Sequence, residues 1–178
     1  AGHSVGATHF PFRLVSNSSD TGSWVVTNVV IVNTGTDAEL DMSDTNFDKI
    51  EMDGCSLVGL GAIELPTSGG TSSFTTDCIF KQCGQITNNG ADMTGSSILD
   101  SAVAAGTGAL LYDVNVDPDG ELDNLTFTQG TNNHNAITFG TNIPASITLR
   151  NCDFTGFSSS DDDDGSVFEF LDTAGNIT

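Results

Sequence analysis

Ser146-Ile147-Thr148-Leu149-Arg150-Asn151-Cys152-Asp153-Phe154 carries the pattern that decides the fold. Ile147 and Leu149 alternate with polar residues, as in a strand with one buried face. The closing tetrad, Asn151–Phe154, then reads polar, small apolar, any residue, large apolar. The same tetrad can be found at Asn28–Ile31, Gly54–Leu57, Asp77–Phe80, Asp100–Val103 and Asn124–Phe127. Its fourth position is Ile31, Leu57, Phe80, Val103, Phe127, Phe154, at spacings of 26, 23, 23, 24 and 27 residues. Its second position is Val29, Cys55, Cys78, Ser101, Leu125, Cys152, and its first is an Asn, Asp or Gly each time.

Working outward, a feeding strand precedes four of the six tetrads, at Trp24 and Val26, Ile50 and Met52, Leu122, and Ile147 and Leu149. A second strand follows it: Leu40 and Met42, Ile63 and Leu65, Ile86, Ala109 and Leu111, Ile137 and Phe139, Phe168 and Phe170. A unit of this size cannot bury its own apolar face, but stacked neighbours create one continuous core. The expectation is therefore an all-β, right-handed parallel β-helix of about six coils, with equivalent side chains stacked roughly 4.8 Å apart. A leucine-rich solenoid would need a tight Leu-x-x-Leu-x-Leu frame, which is not present, and a β-sandwich would not produce columns at a nearly fixed spacing. Long helices are not expected. No stretch keeps helical spacing over three turns, and the Ala-rich piece Ser101–Ala105 runs into Gly106.

The solenoid is expected over residues 22–178, with residues 1–21 as an N-terminal arm or cap containing Phe10, Pro11 and Phe12. Asn176-Ile177-Thr178 matches Ser146-Ile147-Thr148 and reads as the start of another coil, so a continuation or a capping partner is expected beyond it. The opening residues read as no signal peptide, and Ala1 in place of Met leads to the expectation of processing or trimming.

The 178 residues suffice for one domain with a real core. Hydrophobic residues make up only 37%, while Gly, Ser, Thr, Asn and Asp supply the turn chemistry that many short strands need. The formal charge is −20, from 24 acidic and four basic residues (Arg13, Lys49, Lys81, Arg150). Such a surface repels phosphate backbones and anionic membranes, which argues against nucleic-acid and membrane partners. It also keeps particles dispersed. No run approaches the roughly 18 apolar residues of a membrane-spanning helix.

The gap between the two strands of a coil singles out an interaction face. It is six residues from Leu57 to Ile63, from Phe80 to Ile86 and from Val103 to Ala109, but ten from Phe127 to Ile137 and fourteen from Phe154 to Phe168. Insertions in solenoids project from one side. The loops Thr128–Ala136 and Thr155–Val167 should therefore stack, offering Gln129, Asn132, Asn133, His134, Phe157 and Ser159 as candidate contact residues. A surface loop without a partner is the plain alternative.

Three of the four cysteines, Cys55, Cys78 and Cys152, share an inward column with the apolar ladder and read as small core residues. Cys78 and Cys83 could bridge only across an awkward strand end. His3, His9 and His134 are scattered and read as surface or turn residues, and no zinc-ligand spacing occurs. The run Asp161, Asp162, Asp163, Asp164 before Gly165 is the most charged point. Its carboxylates suit calcium, although it lacks EF-hand spacing and such runs are usually solvated loops.

Many β-helices cleave polysaccharides, so an enzymatic role is an alternative. Hydrolysis needs two carboxylates about 5–9.5 Å apart. Asp77 and Asp100 share a column in this alignment, and Asp153 lies nearby. With 24 acids, however, such pairs arise by chance. Only Trp24 and Tyr112 could stack on a sugar ring, and Trp24 falls at an inward position.

The coil phrase SITLRNCDFTGF (146–157), echoed by ELDNLTFTQG (121–130) and FTTDCIFKQC (74–83), resembles right-handed β-helix repeats of virion proteins from tailed bacteriophages, particularly marine ones. DTAGNIT (172–178) is similar to the start of a further coil in such proteins. The likeness covers residues 22–178 and implies a non-enzymatic protein on the virion surface: a capsid decoration, fibre or tail-associated component, commonly a homotrimer that also contacts other virion proteins. It carries over no catalytic residue and no cofactor. A glycan-binding or glycan-degrading tailspike domain is the runner-up, with host surface glycan as its partner. A cellular adhesin or filament subunit is third. The chain's few aromatic and basic residues set it apart from receptor-cleaving tailspikes.

Replacing Asp161–Asp164 by serine should leave the unfolding temperature nearly unchanged in a calorimetric scan. A large drop would instead indicate a bound cation or an interface.

Overall fold

The computed structural model describes residues 12–13, 23–33, 38–42, 49–65, 72–88, 90–112, 121–140, 146–158, 165–171 and 176–177. Among them there is no helix, and the strands form parallel sheets stacked as a β-solenoid. The first face carries β2 (Ser23–Thr27), β5 (Lys49–Asp53) and β8 (Ser72–Thr76), then β13 (Glu121–Asp123), β16 (Ser146–Arg150) and β19 (Asn176–Ile177). The middle face is a six-stranded sheet of β3 (Val30–Val32), β6 (Ser56–Val58), β9 (Ile79–Lys81), β11 (Ser97–Leu99), β14 (Thr126–Thr128) and β17 (Asp153–Thr155). The third face is a seven-stranded sheet of β1 (Phe12–Arg13), β4 (Leu40–Asp41), β7 (Ile63–Glu64), β10 (Ile86–Asn88), β12 (Gly108–Tyr112), β15 (Asn135–Phe139) and β18 (Phe168–Phe170). β1 lies within the segment expected to be an arm or cap, yet it pairs with β4, Phe12 opposite Leu40.

Backbone conformation explains where each rung bends. The residue between the first-face and middle-face strands has positive φ in all six rungs: Asn28, Gly54, Asp77, Gly95, Asn124 and Asn151, with φ between 51° and 76°. Gly, Asn and Asp are the residues that tolerate this left-handed conformation. The polar first position of the tetrad is therefore a corner. A second corner follows the middle strand, where Gly59, Gln82, Asp100 and Gly156 also have positive φ.

These two corners account for the main correction to the sequence reading. In the middle sheet Phe80 pairs with Ile98, and Ile98 with Phe127, so Ile98 and not Val103 occupies the fourth rung of the ladder. Asp100 is a second corner, level with Gln82, whose Nε2 donates to Asp100 Oδ2 at 3.0 Å. The true spacings are 26, 23, 18, 29 and 27 residues. The coil count differs slightly from six even coils, since the fourth rung has only a bridge at Asp92 on its first face.

Asn88 provides the shortening. Its Oδ1 accepts from Gly90 and Ala91 N–H (2.7 and 2.8 Å), and its Nδ2 donates to Ala91 O (3.0 Å). A fully buried amide thus builds the turn that brings the chain round from β10 to Ala91 and Met93 by a short path. The slip extends to the third face, where Ile86 pairs with Leu110 and Leu110 with Ile137. Leu110 and Tyr112 are therefore the stacked inward residues, in place of Leu111, which is half-buried. A one-residue shift exchanges the faces of a strand.

Elsewhere the columns hold. Leu57, Phe80 and Phe127 are at most 1% exposed, Ile31 and Phe154 pack partly buried against the same core, and Cys55 and Cys78 are buried with Cys152 beside them. Phe127 and Phe154 stack with centroids 5.1 Å apart and planes within 10°. Val103 is also buried, though on the insertion side of the rung. β19 pairs with β16 in the expected register, Ile147 opposite Ile177.

Phe127→Ala should destabilise the protein by about 3–5 kcal/mol in urea unfolding, because it opens a cavity under a stacked ring. A loss below about 1 kcal/mol would mean that the ring is not buried in a packed column.

Candidate functional site

Insertions between the middle and third faces lengthen rungs beyond the four-residue connections 59–62 and 82–85 of the second and third rungs. Three successive rungs carry them: residues 100–107 after β11, 129–134 after β14 and 156–167 after β17. The first was missed by the sequence reading, because the slip to Val103 and Ala109 made that gap look like the six-residue one.

The loops stack, as expected for insertions on one side of a solenoid, and they are tied together. Asn132 Nδ2 donates to Val103 O (3.0 Å), Gly106 N–H to Asn133 O (3.1 Å), and Asn135 Nδ2 to Gly106 O (3.1 Å). Toward the next loop, Ser158 N–H donates to Gln129 Oε1 (3.2 Å) and Ser166 N–H to Asn135 Oδ1 (2.8 Å). Gln129 Nε2 closes its own loop on His134 O at 2.9 Å. Glu169 completes the set, accepting from Thr138 Oγ1 at 2.7 Å and Asn135 Nδ2 at 3.3 Å. Asn135 and Glu169 were not legible as partners in the sequence, since they lie 34 residues apart and meet only through the β15–β18 pairing.

The predicted contact residues separate accordingly. Asn132 and Asn133 are exposed on the wall. Gln129 joins two loops through both ends of its amide. His134, read from sequence as a surface or turn residue, is 1% exposed. Its ring meets Phe157 edge-on at 5.7 Å, and Phe157 in turn packs against the core and Phe154. His134 Nδ1 lies 2.9 Å from Asn135 O, an acceptor only, so Nδ1 carries a proton; Nε2 has no hydrogen-bond partner. Position in the rung decides this: His134 directly precedes β15, where the chain turns back onto the core. Ser159 and the Asp161–Asp164 run lie outside the described residues. Among the described residues, no group of three or more His, Cys, Asp or Glu side chains is placed to hold a metal.

The carboxylate pair considered for hydrolysis is not a column pair. Asp77 sits at the first corner, level with Gly95, whereas Asp100 sits at the second. Of the two side chains of a type that stacks on sugars, Tyr112 is fully buried beside Phe139, and Trp24 packs half-buried against the core. A shallow pocket of about 70 Å³ lies among Glu39, Leu40, Asp41, Ala62 and Glu64. Small-molecule sites occupy about 300–1,000 Å³.

The cysteine column has its own chemistry. Cys55 Sγ donates to Val26 O (3.6 Å), Cys78 Sγ to Met52 O (3.7 Å), and Cys152 Sγ to Leu122 O (3.4 Å). In each case the acceptor is the first-face strand of the rung before. Ser96, which takes this position in the fourth rung, repeats the contact with Thr75 O at 2.7 Å. At these four rungs a small side chain fills the corner and donates one hydrogen bond to the rung before, while Val29 and Leu125 take the same position in the other two. All four cysteines are free, including Cys78 and Cys83. Burial pushes the Cys78 thiol up from its ordinary 9.0 to about 12, and it also raises Cys83 and Cys152. Thiols held protonated in this way are poor nucleophiles.

No family model, curated protein or solved structure matches the chain.

The raised thiol sets a pH window. An unfolded Cys78 ionises near 9 while the folded one keeps its proton, so stability is full below pH 9 and is lost as the pH rises toward about 12. Urea unfolding should show a fall of up to about 1.4 kcal/mol per pH unit from this thiol within that window. Cys78→Ala should make the fall shallower, and an unchanged slope would mean the thiol is not desolvated.

Proposed function

We propose that this chain is a non-enzymatic structural protein on the surface of a phage virion, acting as a rigid prism in contact with copies of itself and other virion proteins. The resemblance of residues 22–178 to virion β-helix repeats supplies the biological setting. The observation that carries the structural role is the loop wall. Polar side chains of the kind that bind ligands, Gln129, Asn135 and Glu169, are instead tied to neighbouring rungs. Hydrogen bonds between rungs stiffen the wall along the axis and so favour a part that keeps its shape. The charge of −20 suits a surface component, because like-charged particles stay dispersed.

Two measurements test the reading. Labelled antibodies against the chain should decorate intact particles in electron microscopy, and particles free of label would remove the virion assignment. Incubation with host surface polysaccharide should leave polymer length unchanged. Shortening of the polymer would replace the structural role with that of a glycan-degrading tailspike domain.

A further inference from the structure

The middle face differs in charge from the other two. Its outward positions alternate with the buried ladder, and in the first four rungs they include Val30, Val32, Val58, Ile79 and Leu99. Val30, Val32 and Ile79 are 66%, 60% and 42% exposed. The remaining outward positions as far as β14 are Ser56, Lys81, Ser97, Thr126 and Thr128. This strip of five rungs, about 19 Å long at the parallel-strand spacing, therefore bears no carboxylate, in a chain with 24 acidic residues. The first acid, Asp153, appears only at its far end. The first face, by contrast, turns Glu51, Asp53, Asp92 and Asp123 outward, and the third turns Glu64 and Glu169 outward.

We infer that the middle face from β3 to β14 is the contact through which two copies of this chain pair. The inference rests on the self-association part of the reading above and assigns it a surface. A cationic partner would be drawn to the two acidic faces, where opposite charge is available. A second copy meets the opposite situation: any approach through those faces sets carboxylate against carboxylate. The acid-free strip avoids that repulsion while removing exposed valine and isoleucine from water. Each copy carries one such strip, and a surface that meets its own equivalent closes at two subunits. The strip is small beside the roughly 800 Å² that a stable complex buries on each partner, so the pairing is weak and concentration-dependent. Its edges run along corners bearing Asp77 and Asp100, and pairing two copies brings these carboxylates closer together. Salt screens that repulsion, so the dimer strengthens as salt rises, opposite to an interface held by ion pairs.

Sedimentation equilibrium of the full chain at about 0.02 and about 0.5 M NaCl tests the assignment. A monomer–dimer equilibrium that shifts toward dimer at the higher salt is expected. Val30→Glu and Ile79→Glu should each weaken it at least about tenfold, because either buries an unpaired charge. Val25→Glu, an exposed position on the first face, should leave it unchanged, and all three variants should keep the wild-type unfolding temperature. A chain monomeric at both salts would remove self-association itself. A dimer insensitive to Val30→Glu and Ile79→Glu, or a trimer, would leave self-association standing and overturn only this surface. Loss of the strip's effect on self-pairing together with capture of a different virion protein there would overturn it as well.

Discussion

Each rung of this chain must turn onto its middle face through a residue in the left-handed conformation, and the rest of the structure depends on that corner. For most L-residues the conformation is unfavourable by about 1–2 kcal/mol, which is why six rungs place only Asn, Asp or Gly there. The corner fixes the direction of the strand that follows and so aims the next-but-two residue, from Ile31 to Phe154, into the axis. Where corners stack closely the choice narrows further. At Gly95 a side chain would run into the Asp77 carboxylate of the rung before, so glycine stands where four other rungs use asparagine or aspartate.

Because parallel pairing sets equivalent residues directly over one another, a side chain's chemistry is repeated or compensated in its neighbours. The Cys55, Cys78, Ser96, Cys152 column is the clearest case. Three thiols and one hydroxyl make the same contact with the carbonyl of the preceding rung. Aromatic rings follow the same rule at the C-terminal rungs, where Phe139 stacks on Phe170 at 4.9 Å and Phe127 on Phe154 at 5.1 Å. The outward positions obey it with opposite effect. Acids gather on the first and third faces, and the middle face from β3 to β14 turns none outward.

The insertions show how a solenoid adds surface without disturbing its core. Loops 100–107, 129–134 and 156–167 lengthen successive rungs on one side, yet β12, β15 and β18 keep their register. Buried polar groups in such places need partners. Asn135 meets that need by reaching both neighbouring loops, and His134 meets it at one nitrogen only. The wall is thereby an integral part of the stack, with Asn132 and Asn133 as its exposed polar edge.

Local sequence by itself determined the class of fold, the stacking of five of the six ladder residues, the paired start of a further rung at Ile177, and the side on which loops project. All of these follow from period-two alternation and from corner residues that have few alternatives. The tertiary structure alone decided the fourth rung. Asp77-Cys78 and Gly95-Ser96 make the true match, but Asp100-Ser101 resembles them just as well, because both ends of a middle strand are left-handed corners that take the same residue types. Only interstrand hydrogen bonding separates the two, and it selects Ile98 over Val103 by way of the buried Asn88 turn. The burial of His134 and the acid-free strip were hidden for the same physical reason: each arises from residues some twenty or more positions apart that become neighbours only when the rungs are in register.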